Sequence, residues 1–190
     1  MNVFISLLRG VNVGGHNKIP MAELKRLYES LDLTNVRTYL QSGNVVFESG
    51  EQAASKLAVS IEAAIEQAFG RAVAVLVMDA RDFQRIVDGN PFLYEGNETT
   101  PNLYVTFLYA NPSTLTLSNL DSYLDSYIDK IDENKTDEFR VAGKAIFLFC
   151  PQGYGRTRIS NDFFERKLGV PATTRNWNTV LALQKMTAAI

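Results

Sequence analysis

Two short stretches near the start of the chain hold the groups best suited to gripping a small molecule. Arg9-Gly10-Val11-Asn12-Val13-Gly14-Gly15 follows an apolar run, and Gln41-Ser42-Gly43-Asn44 sits between two further runs. Successive backbone N–H groups in a glycine loop, leading into a helix start near Pro20, favour a phosphate or carboxylate. The planar fork of Arg9 adds a bidentate contact to such an anion. The same loop also reads as a tight strand-to-helix connection whose glycines supply positive φ and close packing. Gln41, Ser42 and Asn44 offer two amides and a hydroxyl to a ligand, or bond their own backbone in a hairpin. A third place is Thr174-Arg175-Asn176-Trp177, which opens the last helix and sets Arg175 beside a helix N-terminus, a second anion-favouring corner. Arg9, Asn12, Gly14, Gly15, Gln41, Ser42, Asn44 and Arg175 are therefore the candidate ligand-binding residues.

Catalytic and metal signatures are poor. Gly10-Val11-Asn12-Val13-Gly14-Gly15 matches neither a phosphate-binding loop of nucleotide triphosphatases nor a dinucleotide fingerprint. His16 is the single histidine and lies in a loop with no cysteine beside it, so no nucleophile–base pair is identified. Cys150 ends an apolar strand and reads as a buried, inert thiol. No His or Cys cluster has zinc spacing, and the acidic residues Asp129 to Glu138 do not match a calcium loop. Catalytic residues and cofactors are left unassigned, and no metal site is expected.

The elements that must position these groups follow from periodicity. Val3 to Leu8 is a continuous apolar run, a buried strand. Met21, Leu24, Leu27, Tyr28 and Leu31 recur at helical spacing after Pro20, which suits a first helical turn. Val36 to Leu40 and Val45 to Glu48 predict strands, joined by Ser42-Gly43-Asn44 as a tight hairpin. Leu57, Ile61, Ala64, Ile65 and Ala68 mark a second helix ended by Gly70, and Val73 to Met78 a further strand. The order is β-α-β-β-α-β, the ferredoxin-like unit. In that unit the first and third strands are antiparallel neighbours, which brings Arg9 to Asn12 close to Gln41 to Asn44.

Asp79 to Asp88 predicts a linking helix, stopped at Gly89-Asn90-Pro91. The pattern then restarts with a strand at Leu103 to Leu108 and a helical face at Leu117, Leu120 and Leu124. A hairpin about Ala142-Gly143 follows, then a helix from Ser160 or Asn161 to Leu168 with Gly169 beyond it. A short strand at Val170 to Thr173 and a last helix capped by Asn176 complete it. The expected fold is α+β: two ferredoxin-like α/β-plait units in tandem with an additional C-terminal helix. The expected division is residues 1–79, a linking helix and turn at 80–100, and residues 101–190.

Of the 190 residues, 46% are apolar and 21% charged, which suits a globular protein. The net charge of −2 argues against binding nucleic acid through bulk positive charge. Residues 1–150 hold 13 Lys and Arg against 19 Asp and Glu, whereas residues 151–190 hold six against two, so the basic part is the end of the chain. One cysteine permits no internal disulfide, and no signal peptide or membrane-length apolar run is present, so a cytoplasmic location is expected. Expected partners are a small anionic ligand, with nucleic acid disfavoured and no membrane; the oligomeric state is open. The alternative is a nucleic-acid or protein-interaction module. Val3-Phe4-Ile5, Leu103-Tyr104-Val105 and Lys144 to Phe149 loosely echo the strand motifs of RNA-recognition domains.

Arg9 to Gly15, Met21-Ala22-Glu23-Leu24 and Thr38 to Phe47 together resemble the domain of unknown function 1697 family. Asn90-Pro91-Phe92 fits that family's middle, and Thr173 to Val180 is similar to its closing motif. His16 stands where the family often has a lysine or arginine. The resemblance implies two α/β plaits in a bacterial cytoplasmic protein, and it implies no activity.

Overall fold

The computed structural model describes residues 1–13, 18–93, 101–113 and 137–190. The protein is α+β, with two four-stranded antiparallel sheets and five α-helices among the described residues. Two compact units are formed: Met1–Asp88 with Leu181–Ile190, and Gly89–Val180. The linking helix and the end of the last helix thus belong with the first unit.

The first unit runs β1 (Asn2–Leu8), α1 (Met21–Glu29), β2 (Thr34–Tyr39), β3 (Asn44–Ser49), α2 (Ala54–Phe69), β4 (Val75–Asp79) and α3 (Ala80–Asp88). Its sheet has the order β2-β3-β1-β4. Alternation along β1 sends Phe4, Ser6 and Leu8 to one face, where Phe4 and Leu8 join Val45 and Phe47 under Leu24 and Tyr28 of α1 and Ile61 and Ile65 of α2. Ser6 is buried there and its hydroxyl bonds the Tyr28 hydroxyl at 2.8 Å, so neither oxygen is left unsatisfied. Ile5 and Leu7 point the other way and are equally buried. Helix α3 packs on β1 and β4 and buries Phe83 and Val87.

The second unit holds β5 (Leu103–Leu108), β6 (Glu138–Ala142), β7 (Ala145–Phe149), a 3-10 turn at Tyr154–Arg156, α4 (Asn161–Leu168) and β8 (Ala172–Asn176), and the start of α5 (Trp177–Ala188). Its sheet has the order β6-β7-β5-β8. Phe163 and Phe164 of α4 fill the core over Leu108, Ile146 and Leu148, with Phe139 set edge-on to Phe164. The expected helical face at Leu117, Leu120 and Leu124, most of the acidic stretch before Asp137, and the turn from Glu95 lie outside the described residues.

Residue-level repetition is absent, yet the two units reuse the same backbone bonds. Leu8 N–H donates to the Gly43 carbonyl and Leu108 N–H to that of Lys144, both at 2.8 Å. Arg9 donates to Ala74 at 2.9 Å, and Tyr109 to Pro171 at 3.0 Å. In each unit a helix glutamate also accepts from the first residue of the last strand. Glu62 takes the Val75 N–H and Glu165 that of Ala172, each at 2.8 Å.

Three local expectations are corrected. The first hairpin turns at 40–43 rather than at Ser42-Gly43-Asn44: its left-handed residues are Leu40 and Gly43, and Asn44 already belongs to β3. The last strand is Ala172–Asn176 and therefore includes Arg175, because Thr173 to Asn176 pair with β5 before the helix starts at Trp177. The third helix begins at Ala80, since Asp79 still pairs with Phe4 in the sheet.

Candidate functional site

The site is built where β1 ends. Leu7 stands opposite Asn44, and the Gly43 carbonyl takes the next N–H, so β1 delivers Arg9 beside the 40–43 turn. Gly43 has φ +69°, and a Cβ there would lie 2.6 Å from the Leu8 Cβ. Only glycine fits so close an approach in that conformation. Beyond Leu8 the chain turns through Gly10 at φ +65° and Asn12 at φ +57°, the latter a left-handed position that asparagine tolerates.

Asn12 is the organising side chain. Its Nδ2 donates to the Ile19 carbonyl at 2.9 Å and to the Gln41 carbonyl at 2.7 Å, while its Oδ1 accepts the Ile19 N–H at 2.9 Å. One amide thereby closes the glycine loop and pins it to the hairpin. Asn44 does the same for the hairpin: it is fully buried, and its Nδ2 donates to the Tyr39 carbonyl at 2.9 Å and to the Ser42 hydroxyl at 3.0 Å. These two side chains build the loops from within.

A shallow hollow lies over this junction, lined by Asn12, Lys18, Ile19, Pro20 and Gln41. Lys18 is exposed and was not singled out in the sequence; its one signal is a cation just ahead of the proline that starts α1. Pro20 occupies the cap position of α1 without a side-chain cap bond, and Glu23 is the acidic residue of that helix's first turn. Arg9 and Gln41 are exposed and Ser42 half-buried; Gly14, Gly15 and His16 lie outside the described residues.

Arg175 belongs to the second unit, on β8 opposite Val105. It is 7% exposed and donates to the Thr173 hydroxyl at 2.7 Å and the Thr174 carbonyl at 2.9 Å. Burial pushes its guanidinium down to about 10, opposed by Tyr109, so it remains charged at neutral pH. The helix N-terminus beside it is already served by Asn176, whose Oδ1 accepts the Thr179 N–H at 2.8 Å. Trp177 is buried at 1% exposure. Arg156, in the 3-10 turn, and Arg158, just after it, are exposed, and Tyr154 of that turn packs at a tilt against Tyr104. Among the described residues no three His, Cys, Asp or Glu side chains gather as metal ligands. Cys150 is buried, and desolvation aided by Asp137, against a hydrogen bond with Thr157, raises its thiol to about 11, which rules out a neutral-pH thiolate.

No helix among the described residues is long and apolar enough to cross a membrane. Among curated proteins none matches the chain. Among solved structures, the conserved bacterial protein SP0830 from Streptococcus pneumoniae is similar at 22% identity, with 98% of each chain covered and a TM-score of 0.68. That likeness extends the shared fold through both units. The family model described as "Protein of unknown function (DUF1697)" matches residues 1–147, which takes in both loops of the site and leaves Thr173 to Val180 beyond the match; the chain belongs to this family.

Proposed function

We propose that this protein binds a small anionic molecule in the hollow between the glycine loop and the 40–43 turn. The observation that carries the reading is the Asn12 amide, which ties both loops to the start of α1 and so preforms a hollow that also holds Lys18. Preorganisation of this kind lowers the ordering cost of binding. In this reading Asn12, Gly43 and Asn44 are builders, Lys18 and Gln41 line the hollow and face the ligand, and Arg9 and Ser42 reach it from beside the 40–43 turn. Arg175, buried in the second unit, is read as a structural cation there. Both units are read as ferredoxin-like, supported by the strand orders, and the single cysteine suits a reducing cytoplasm.

A thermal-shift screen against phosphorylated metabolites and nucleotides tests this. A ligand at a hundredfold its Kd adds about 2.7 kcal/mol of apparent stability. Lys18→Ala and Arg9→Ala should each lower affinity by about 1.5–3 kcal/mol, the range for hydrogen bonds to charged groups. Arg9→Lys should recover little, since a point charge does not reproduce a planar fork. Stabilisation that survives both alanine variants would sink the reading. The interaction-module alternative is weakened because the strand aromatics Phe4, Phe47, Phe107 and Phe147 are buried, and Tyr104 and Phe149 are half-buried rather than exposed.

A further inference from the structure

A second opening in the first unit has a different chemistry. A half-enclosed cleft of about 430 Å³ lies between the turn after α1, the turn after β3 and the exposed side of α2. This is within the size range of small-molecule sites. Its floor is Leu33, Leu57 and Ile61, which are buried members of the unit's core. Its rim carries Asp32, Glu51, Lys56 and Ser60, so charges of both signs border one apolar floor.

The walls are held rigid. Glu51 Oε1 accepts the backbone N–H groups of Gln52 and Ala53, both at 2.9 Å, while its Oε2 meets Lys56 Nζ at 3.3 Å. The Ser49 hydroxyl accepts the Glu51 N–H at 3.1 Å. Glu51 is therefore committed to the start of α2 and to Lys56. Asp32 is not: it is exposed and makes no hydrogen bond or ion pair among the described residues. It sits at φ +58°, a turn position that carries the carboxylate without help from neighbours.

We infer that this cleft binds a small zwitterion, an α-amino acid with an apolar side chain. Its ammonium meets Asp32, its carboxylate meets Lys56, and its side chain lies on Leu33, Leu57 and Ile61. Each part of the ligand answers one part of the wall. An acid alone would leave Asp32 unanswered, and an amine alone would leave Lys56 with Glu51 as its one carboxylate. The site is separate from the hollow of the glycine loop and does not depend on it.

The test is a titration of the isotope-labelled full chain with leucine, read by amide chemical shifts. Saturable shifts are expected at residues 31–33, 49–51 and 56–61. Isoamylamine and isocaproate, which each lack one charged group, should bind at least about tenfold more weakly, the worth of one charge-assisted hydrogen bond. Asp32→Asn keeps a residue that tolerates left-handed backbone. It should weaken leucine by about tenfold and leave isocaproate unchanged, a pattern that mere loss of structure would not give. Absence of saturable shifts with leucine and phenylalanine would overturn the inference, as would shifts centred elsewhere or an unaltered leucine affinity in Asp32→Asn. Amides of residues 12, 18 and 41 report the hollow separately, so failure of one site is distinguishable from failure of the other.

Discussion

The Asn12 side chain donates to the backbone carbonyl of Gln41 at 2.7 Å across 29 residues of sequence, and this bond joins the two loops of the first unit. Asn12→Ala should therefore destabilise the fold by about 1–3 kcal/mol, because the Ile19 N–H and two carbonyls lose their partner. Asn12→Gly should recover about 1 kcal/mol of that, since glycine relieves the left-handed backbone but restores no bond. Urea denaturation of the three proteins separates the two contributions. Equal stability of Asn12→Ala and wild type would show that the amide does not hold the loops.

Gly43→Ala should cost about 2–4 kcal/mol, combining a left-handed alanine with overpacking against Leu8. Leu8→Ala should not rescue it, because the clash is with the Leu8 Cβ, which alanine keeps. Rescue in the double variant, measured by its melting temperature, would place the conflict further along the leucine side chain.

Cys150 should resist thiol reagents in the native protein at pH 8 and react at once when unfolded. Its folded-state value is raised from 9.0 to about 11, so the protonated thiol is the form that folding favours. The stability it contributes is present in full below 9.0 and is lost as pH rises toward 11. Cys150→Ser should flatten that alkaline limb. Rapid labelling of the native protein by a disulfide reagent would contradict the burial.

Glu51 has its carboxyl held below the ordinary 4.5, first by the Ala53 N–H and then by Lys56. A depressed acid contributes stability above its unfolded value and loses it as pH falls through the folded one. Glu51→Gln should thus destabilise the protein at pH 7 and show a smaller further loss on acidification below 4.5 than wild type does. Parallel pH–stability curves for the two proteins would rule this out.

The end of α5 should be needed by the first unit. Gln184 Nε2 donates to Gln84 Oε1 at 3.1 Å, and Arg37 donates to the Ala189 carbonyl at 3.4 Å. Removing residues 181–190 also removes the buried Leu183, and should cost at least about 2 kcal/mol, the lower end for deleting a buried leucine side chain. Chemical denaturation that leaves the midpoint unchanged would exclude this.

What the sequence determined by itself is whatever neighbours along the chain decide. Period-two and helical spacing placed the strands and helices, since burying one face of an element needs only its own residues in order. Gly70 and Gly169 end α2 and α4 at φ +64° and +66°, Ser160 caps α4 and Asn176 caps α5, because the groups they satisfy lie within a turn. The nearness of the two loops also follows from strand order. Which side chains are spent on the scaffold was decided by tertiary structure alone. Asn12 looks like a ligand contact until its amide is seen bound to Ile19 and Gln41, and Arg175 looks like an exposed anion binder until β8 buries it against Thr173. Lys18 and Asp32 are ordinary polar residues in the sequence, and they matter because the fold sets each beside an opening. A hydrogen bond has a short reach and chain separation carries no memory of it, so polar side chains reveal their partners only after the chain has closed.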